Sequence, residues 1–179
     1  MPFSKLDFWR WAVDDLASNT LRGLVAEFLV ARALGLTDLP RREWDAVDLR
    51  TREGRAVEVK SAAYLQSWPQ ERPSAIRFGV AAKTGWDAET NRWDPERRRR
   101  ADVYVFALLA HEDEATLDPL NVDQWRFWIV PSARLGQQMG DQKSVGLGGL
   151  ASLGARETSW DGLAAAIAEA AGDGPGANT

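Results

Sequence analysis

Apolar residues recur along this chain with two different periods, and the change of period divides it into elements. Ser4 with Asp7 three residues later reads as an N-cap with a variant capping box, opening a first helix through about Ala17. Asn19 or Thr20 can cap a second, running to Leu34 and closed by Gly35. That segment, "LRGLVAEFLVARAL", is apolar almost all the way round, with only Arg22, Glu27 and Arg32 as exceptions, which predicts a helix buried on most sides. After a loop around Pro40 the period becomes two: "AVDLR" and "RAVEVKSA" alternate and flank "EG", a hairpin signal. "AIRFGVAAK" predicts a third strand, "DVYVFALLA" a fourth and "WRFWIVP", ending at Pro131, a fifth. Between the third and fourth, "TGWDAETNRWDPERRRR" holds Gly85, Asn91 and Pro95 and permits at most a short helix. A small helix is expected from Pro131 to about Met139 and a Gly-rich loop over 146–154. Ser159 or Asp161 caps a final Ala-rich helix to about Ala171, and a disordered tail follows over 172–179. Helices first, then a three-strand antiparallel meander, then further strands, predict an α/β fold with a mixed sheet flanked by helices. One domain over 1–171 is expected.

The hairpin fixes which side chains share a face. A three-residue loop, Arg52-Glu53-Gly54, with Gly54 in the left-handed slot, sets Thr51 opposite Arg55 and Asp48 opposite Glu58. Val47 and Leu49 then pair with Val59 and Val57 on one face, while Asp48, Glu58 and Lys60 project from the other. A two-residue loop would place Asp48 among the valines, so the apolar pattern selects the first register. Two opposed carboxylates repel unless something positive lies between them, and Lys60 or a bound cation meets that need. Asp45 is an alternative acid that faces the other side of a regular strand. A third carboxylate, Glu27, has no cation at i±3 or i±4 in its apolar helix and must find a partner elsewhere; Gly23 one turn earlier leaves room for one to approach. Either Glu27 reaches the surface or pairs with a distant Arg, or it meets Asp48 and Glu58 in a hard-cation site, with Lys60 beside it to orient water or phosphate.

Composition narrows the chemistry. The 179 residues contain no Cys and one His, so thiolate or imidazole zinc sites and Ser-His-Asp chemistry are disfavoured, and a metal would be held by oxygen, as magnesium or manganese is. No stretch approaches a membrane span and no signal-peptide core is present, so a cytoplasmic protein is expected. The net charge of -4 argues against a general nucleic-acid coat protein. Its basic residues are nonetheless uneven: Arg92, Arg97, Arg98, Arg99 and Arg100 cluster with Trp93 and could bind phosphates and stack a base, or pair with Asp94 and Glu96 in a solvated loop. Lys83, Lys143, Gln66, Ser67 and Trp68 are further candidates for substrate contact, Trp68 being equally a core plug. Ser61 could bond a metal-bound water or only cap its strand, and His111 reads as exposed. The Gly-rich 145–154 segment lacks the context of a phosphate loop.

The acid before the turn, Glu58-Val59-Lys60 after it and the helical Glu27 together resemble the PD-(D/E)XK nuclease superfamily, the restriction-endonuclease-like group. Val47 stands where the name has Pro. "ADVYVFALL", "LDPLNVDQWRFWIVPSARL" and "QKSVGL" are similar to stretches of small bacterial members of that superfamily. The resemblance implies a restriction-endonuclease-like core over about 19–110 with 1–18 and 111–171 as decoration, and a magnesium-dependent nuclease acting on DNA. Its metal ligands would be Asp48, Glu58, Glu27 directly or through water, and the Val59 carbonyl, with Lys60 catalytic. An RNA-directed nuclease and a catalytically silent binding module on the same fold are the alternatives. The acidic net charge leads us to expect weak, salt-sensitive binding by a monomer, or a homodimer or partner protein that completes the grip.

Overall fold

The computed structural model describes residues 2–38, 40–41, 45–87 and 90–172. Of the tail expected over 172–179, all but Gly172 lies outside them. In chain order the elements are α1 (Lys5–Ala12), α2 (Asn19–Ala33), β1 (Leu49–Arg50), β2 (Ala56–Ala63), β3 (Phe78–Gly79), β4 (Lys83–Asp87), β5 (Arg92–Arg98), β6 (Val103–Leu109), β7 (Trp125–Pro131), α3 (Ser132–Met139), β8 (Ser144–Val145), α4 (Leu147–Ser152), β9 (Arg156–Thr158) and α5 (Leu163–Ala170).

A five-stranded mixed sheet in the order β1-β2-β6-β7-β9 organises the molecule, with β2 and β6 parallel and every other pair antiparallel. The central strand β6 is buried along its whole length, as its unbroken apolar run requires of a strand covered on both faces. Val57, Val59, Val103, Val105, Phe127 and Ile129 point to the face covered by α2 and α5. Ala62, Tyr104, Phe106, Leu108, Trp128 and Val130 form the second core with Phe78, Leu135 of α3 and Leu150 of α4. No helix among the described residues is long and apolar enough to cross a membrane.

Helix α1 forms by local capping. The Ser4 side chain and the Asp7 carboxylate bond each other's backbone N–H groups, as the sequence predicts, but the helix ends at Ala12 and none of its residues is buried. Helix α2 buries Val25, Ala26, Leu29 and Val30 on the sheet and leaves Leu24 and Phe28 exposed. With Thr20 and Arg32 these make a single exposed stripe four residues apart, and the rest of the helix is covered, as its almost wholly apolar circumference predicts. Gly35 closes it at a left-handed φ of 67°.

Several expectations are corrected. "AIRFGVAAK" does not extend a meander: Phe78–Gly79 is a short strand paired with β8 outside the main sheet, and the final Lys83 opens β4. After β2 the chain instead crosses over and returns parallel to it as β6, and the crossover contains a second hairpin, β4–β5, where a loop or short helix is expected. Asn91 makes the turn possible by taking a left-handed φ of 54°, and Pro95 is tolerated because β5 belongs to a two-stranded ribbon with a free edge. The Gly-rich stretch contains α4, a short helix over Leu147–Ser152, and β9 adds an edge strand that carries no sequence signal.

Candidate functional site

The hairpin adopts the three-residue loop. Gly54 has a φ of 85° and its N–H reaches the Thr51 carbonyl at 3.0 Å, while Leu49 faces Val57 and Arg50 faces Ala56. Beyond Leu49 the ladder ends. The chain over 46–48 bends away from β2, and the Asp48 carboxylate takes the place of backbone by accepting the Val59 N–H at 2.7 Å. This departure carries Val47 into the second core rather than beside Val57 and Val59, which corrects the face assigned to it from alternation. It also turns Asp45 into the same cleft as Asp48.

That cleft, of about 250 Å³, lies on the face of the sheet opposite α2. Asp48, Glu58 and Lys60 line one wall together with Tyr104, which neighbours Glu58 in the parallel register. Lys83, Trp86, Trp93, Arg98 and Arg100 of the β4–β5 region line the other. Lys60 forms a short ion pair with Glu58, and Lys83 Nζ stands 3.9 Å from the same carboxylate. Burial pushes the Glu58 carboxyl above its ordinary value; Lys60 opposes that shift and the Asp48 charge adds to it. Burial next to Glu58 pushes the Tyr104 hydroxyl up to about 12, so it remains a proton donor at neutral pH.

Glu27 is placed differently from the expected convergence. It lies in an adjoining apolar groove of about 590 Å³ that shares Asp45 and Asp48 with the cleft, and it binds Arg41 Nε at 2.7 Å. Burial raises its carboxyl, Arg41 lowers it, and Asp48 and Glu58 contribute smaller upward pushes. Asp48 thus stands between two acids that both feel its charge. Among the described residues no three Asp, Glu or His side chains are gathered closely enough to hold an ion. The physical reason is repulsion: Glu27 and Glu58 each take a basic partner, Arg41 and Lys60, in place of one another's company. The donor set nonetheless fits a hard cation, since Asp48, just before β1, and Glu58 on β2 present oxygen to one cleft and their mutual repulsion would be relieved by divalent charge. Val59, the proposed carbonyl ligand, sits where β1 leaves β2.

The arginine run has protein partners. Arg97 donates to the Ala82 carbonyl at 2.9 Å, and Arg99 donates to those of Val80 and Gly140, both at 2.9 Å. Arg100 donates to the carbonyls of Lys83 and Glu96 and pairs with Asp94 at 2.8 Å, and Arg98 pairs with Asp94 at 2.9 Å. Arg100, the Glu96 backbone N–H and Arg98 together hold the Asp94 carboxyl well below the usual range. Arg92 is exposed on β5.

Other candidates fall away from the cleft. Gln66 is a staple: its amide donates to the Ala63 carbonyl at 3.0 Å while its oxygen accepts from the buried Arg22 at 3.1 Å. Ser61 alternates onto the α2 face, its hydroxyl 3.9 Å from where a side chain on Gly23 would begin, so Gly23 is not needed for clearance. Trp68 is exposed and plugs no core, Ser67 and Lys143 are also exposed, and His111 is half-buried with its ring bonded to Thr116 at 2.7 Å. No local sequence signal marks Tyr104 or Trp86 for the cleft. Alternation in "DVYVF" places Tyr104 on one strand face, but only the long-range pairing of β2 with β6 makes that the face of Glu58. Comparison of the chain with protein-family models and with curated proteins finds no match in either.

Proposed function

We propose that the protein is a metal-dependent nuclease that hydrolyses phosphodiester bonds in DNA, on a restriction-endonuclease-like core. The observation that carries this reading is the sharing of one cleft by Asp48, Glu58 and Lys60, with Asp48 held there by the Val59 N–H. Asp48 and Glu58 would hold magnesium or manganese, with the Val59 carbonyl alongside and Glu27 acting through water from the adjoining groove. The ion would supply a water nucleophile at neutral pH and neutralise charge on the phosphoryl oxygens. Lys60, released from Glu58 when that carboxylate takes a metal, would orient the attacking water or hold the scissile phosphate. Tyr104, kept protonated, can donate to a non-bridging oxygen, and Lys83 adds a second positive charge at the mouth.

A second reading has its own support. Glu58 and Glu27 are each neutralised by a basic side chain, as in a catalytically silent module that binds nucleic acid through the same cleft. Calorimetric titration of magnesium and manganese into the protein, into Asp48→Ala and into Glu58→Ala separates the two. The nuclease reading requires binding by the parent chain that both variants lose. Heat of binding that is absent in the parent, or unchanged in the variants, would favour the silent module. Cleavage assays with DNA and RNA of the same sequence then decide which polymer is cut.

A further inference from the structure

We propose that the β4–β5 hairpin is a stacking platform for an unpaired base, so that the cleft takes single-stranded nucleic acid in preference to intact duplex. The inference rests on the nuclease reading for its catalytic meaning, but the binding it describes needs no metal.

Trp86 and Trp93 are directly opposed in the β4–β5 ladder, so both indoles project from one face of the ribbon. Both line the cleft that contains Glu58 and Lys60. Trp93 is 58% exposed on a strand that is otherwise charged and solvated, so its ring is not held there by a core. The ribbon beneath it is braced. Arg100 crosses Gly85 so closely that an added Cβ would lie 2.8 Å from its Nε, and from there it ties β4 to β5 through the Lys83 and Glu96 carbonyls. Arg97 and Arg99 clamp the ribbon's base to Ala82, Val80 and Gly140.

These contacts also limit what the arginine run can do. Guanidinium groups already committed to carbonyls and to Asp94 make a poor duplex-gripping stripe, and the chain's net charge is -4. Affinity from phosphate neutralisation alone would therefore be small. Indole stacking supplies what charge does not, because every base has a π face and the contribution is tolerant of sequence. In a duplex both faces of each base are covered by neighbours, so only an unpaired or extruded base can reach Trp93. DNA and RNA share that face, so stacking alone does not distinguish them.

The test is a fluorescence-anisotropy titration of the whole protein in chelator with a labelled single-stranded DNA, a single-stranded RNA of the same sequence and the corresponding DNA duplex. Trp93→Ala, Trp93→Phe and, as a control on α1, Trp11→Ala are compared with the parent. The expected result is single strand bound at least about tenfold more tightly than duplex, with about tenfold lost in Trp93→Ala, most of it recovered in Trp93→Phe and nothing lost in Trp11→Ala. RNA bound as well as DNA supports stacking on the shared base face. Duplex bound as tightly as single strand, or Trp93→Ala binding like the parent, overturns the proposal. If single strand binds as expected but magnesium or manganese elicits no cleavage, the platform stands and the nuclease reading fails.

Discussion

The Asp48 carboxylate accepts the Val59 N–H at 2.7 Å, immediately after the last backbone pair between Leu49 and Val57. A side chain here does what a strand would otherwise do, and the residue that does it stands beside Glu58 and Lys60. The orientation of the proposed metal ligand is therefore set by the backbone of the strand carrying its partners.

Two substitutions separate the structural role of Asp48 from its charge. Asp48→Asn keeps an oxygen for Val59 and removes the repulsion felt by Glu58, so its unfolding free energy should stay within about 1 kcal/mol of the parent. Asp48→Ala leaves the Val59 N–H without that acceptor and should cost about 1–3 kcal/mol. Urea unfolding measures both. Equal loss in the two variants would show that the charge, rather than the hydrogen bond, maintains the bend.

Arg100 should govern the rigidity of the β4–β5 ribbon. Its removal in Arg100→Ala deletes the tie between Lys83, Glu96 and Asp94, and hydrogen exchange over 83–98 should accelerate by about tenfold or more while exchange in β6 is unchanged. Gly85→Ala, which intrudes on the Arg100 guanidinium, should fall between parent and Arg100→Ala, since the far end of a long side chain can shift.

What was legible in the sequence was local. Gly54 three residues beyond Thr51, with valines alternating on either side, is enough to specify the hairpin register, and Ser4 with Asp7 is enough to specify a cap. The face of Val47 was not legible, because alternation holds only while the ladder lasts and the ladder stops at Leu49. The β4–β5 ribbon was hidden by Pro95 and by charges that suit a loop, although Trp86 opposite Trp93 is a cross-strand pair of the stabilising kind. The absence of a cation at i±3 or i±4 marks Glu27 as an acid in need of a partner. That partner is Arg41, contributed by the loop after α2, and no periodicity could have named it.

Glu27 gives a pH dependence whose sign follows from its raised carboxyl. A group that binds its proton more readily in the folded than in the unfolded state contributes stability below its ordinary value, near 4.5, and loses that contribution as pH rises through the raised one. Glu27→Gln cannot ionise and keeps it, and its amide oxygen can still accept from Arg41. In chelator, the variant should melt at a higher temperature than the parent at about pH 8, and the two should converge towards about pH 4. A variant that melts lower at about pH 8 would mean that the Arg41 pair outweighs the burial cost.

Arg22 is buried in α2 and donates to Asn19 at 2.5 Å and to Gln66 at 3.1 Å, while its Nε has no partner among the described residues. Arg22→Met would leave those acceptors unpaired but would also remove an incompletely satisfied buried cation. A loss of about 1–3 kcal/mol in urea unfolding is expected if the staple to Gln66 dominates, and a net gain would show that desolvation of the guanidinium does.

The most direct test of the central claim is cleavage of a mixed panel of supercoiled plasmid, single-stranded DNA, branched DNA and RNA, in magnesium or manganese and in chelator, by the parent chain, Glu58→Ala and Lys60→Ala. The account predicts metal-dependent cutting that falls by at least about a hundredfold in each variant while both remain folded. Cutting that persists in chelator or in Lys60→Ala, or no cutting of any substrate by the folded parent, would contradict it.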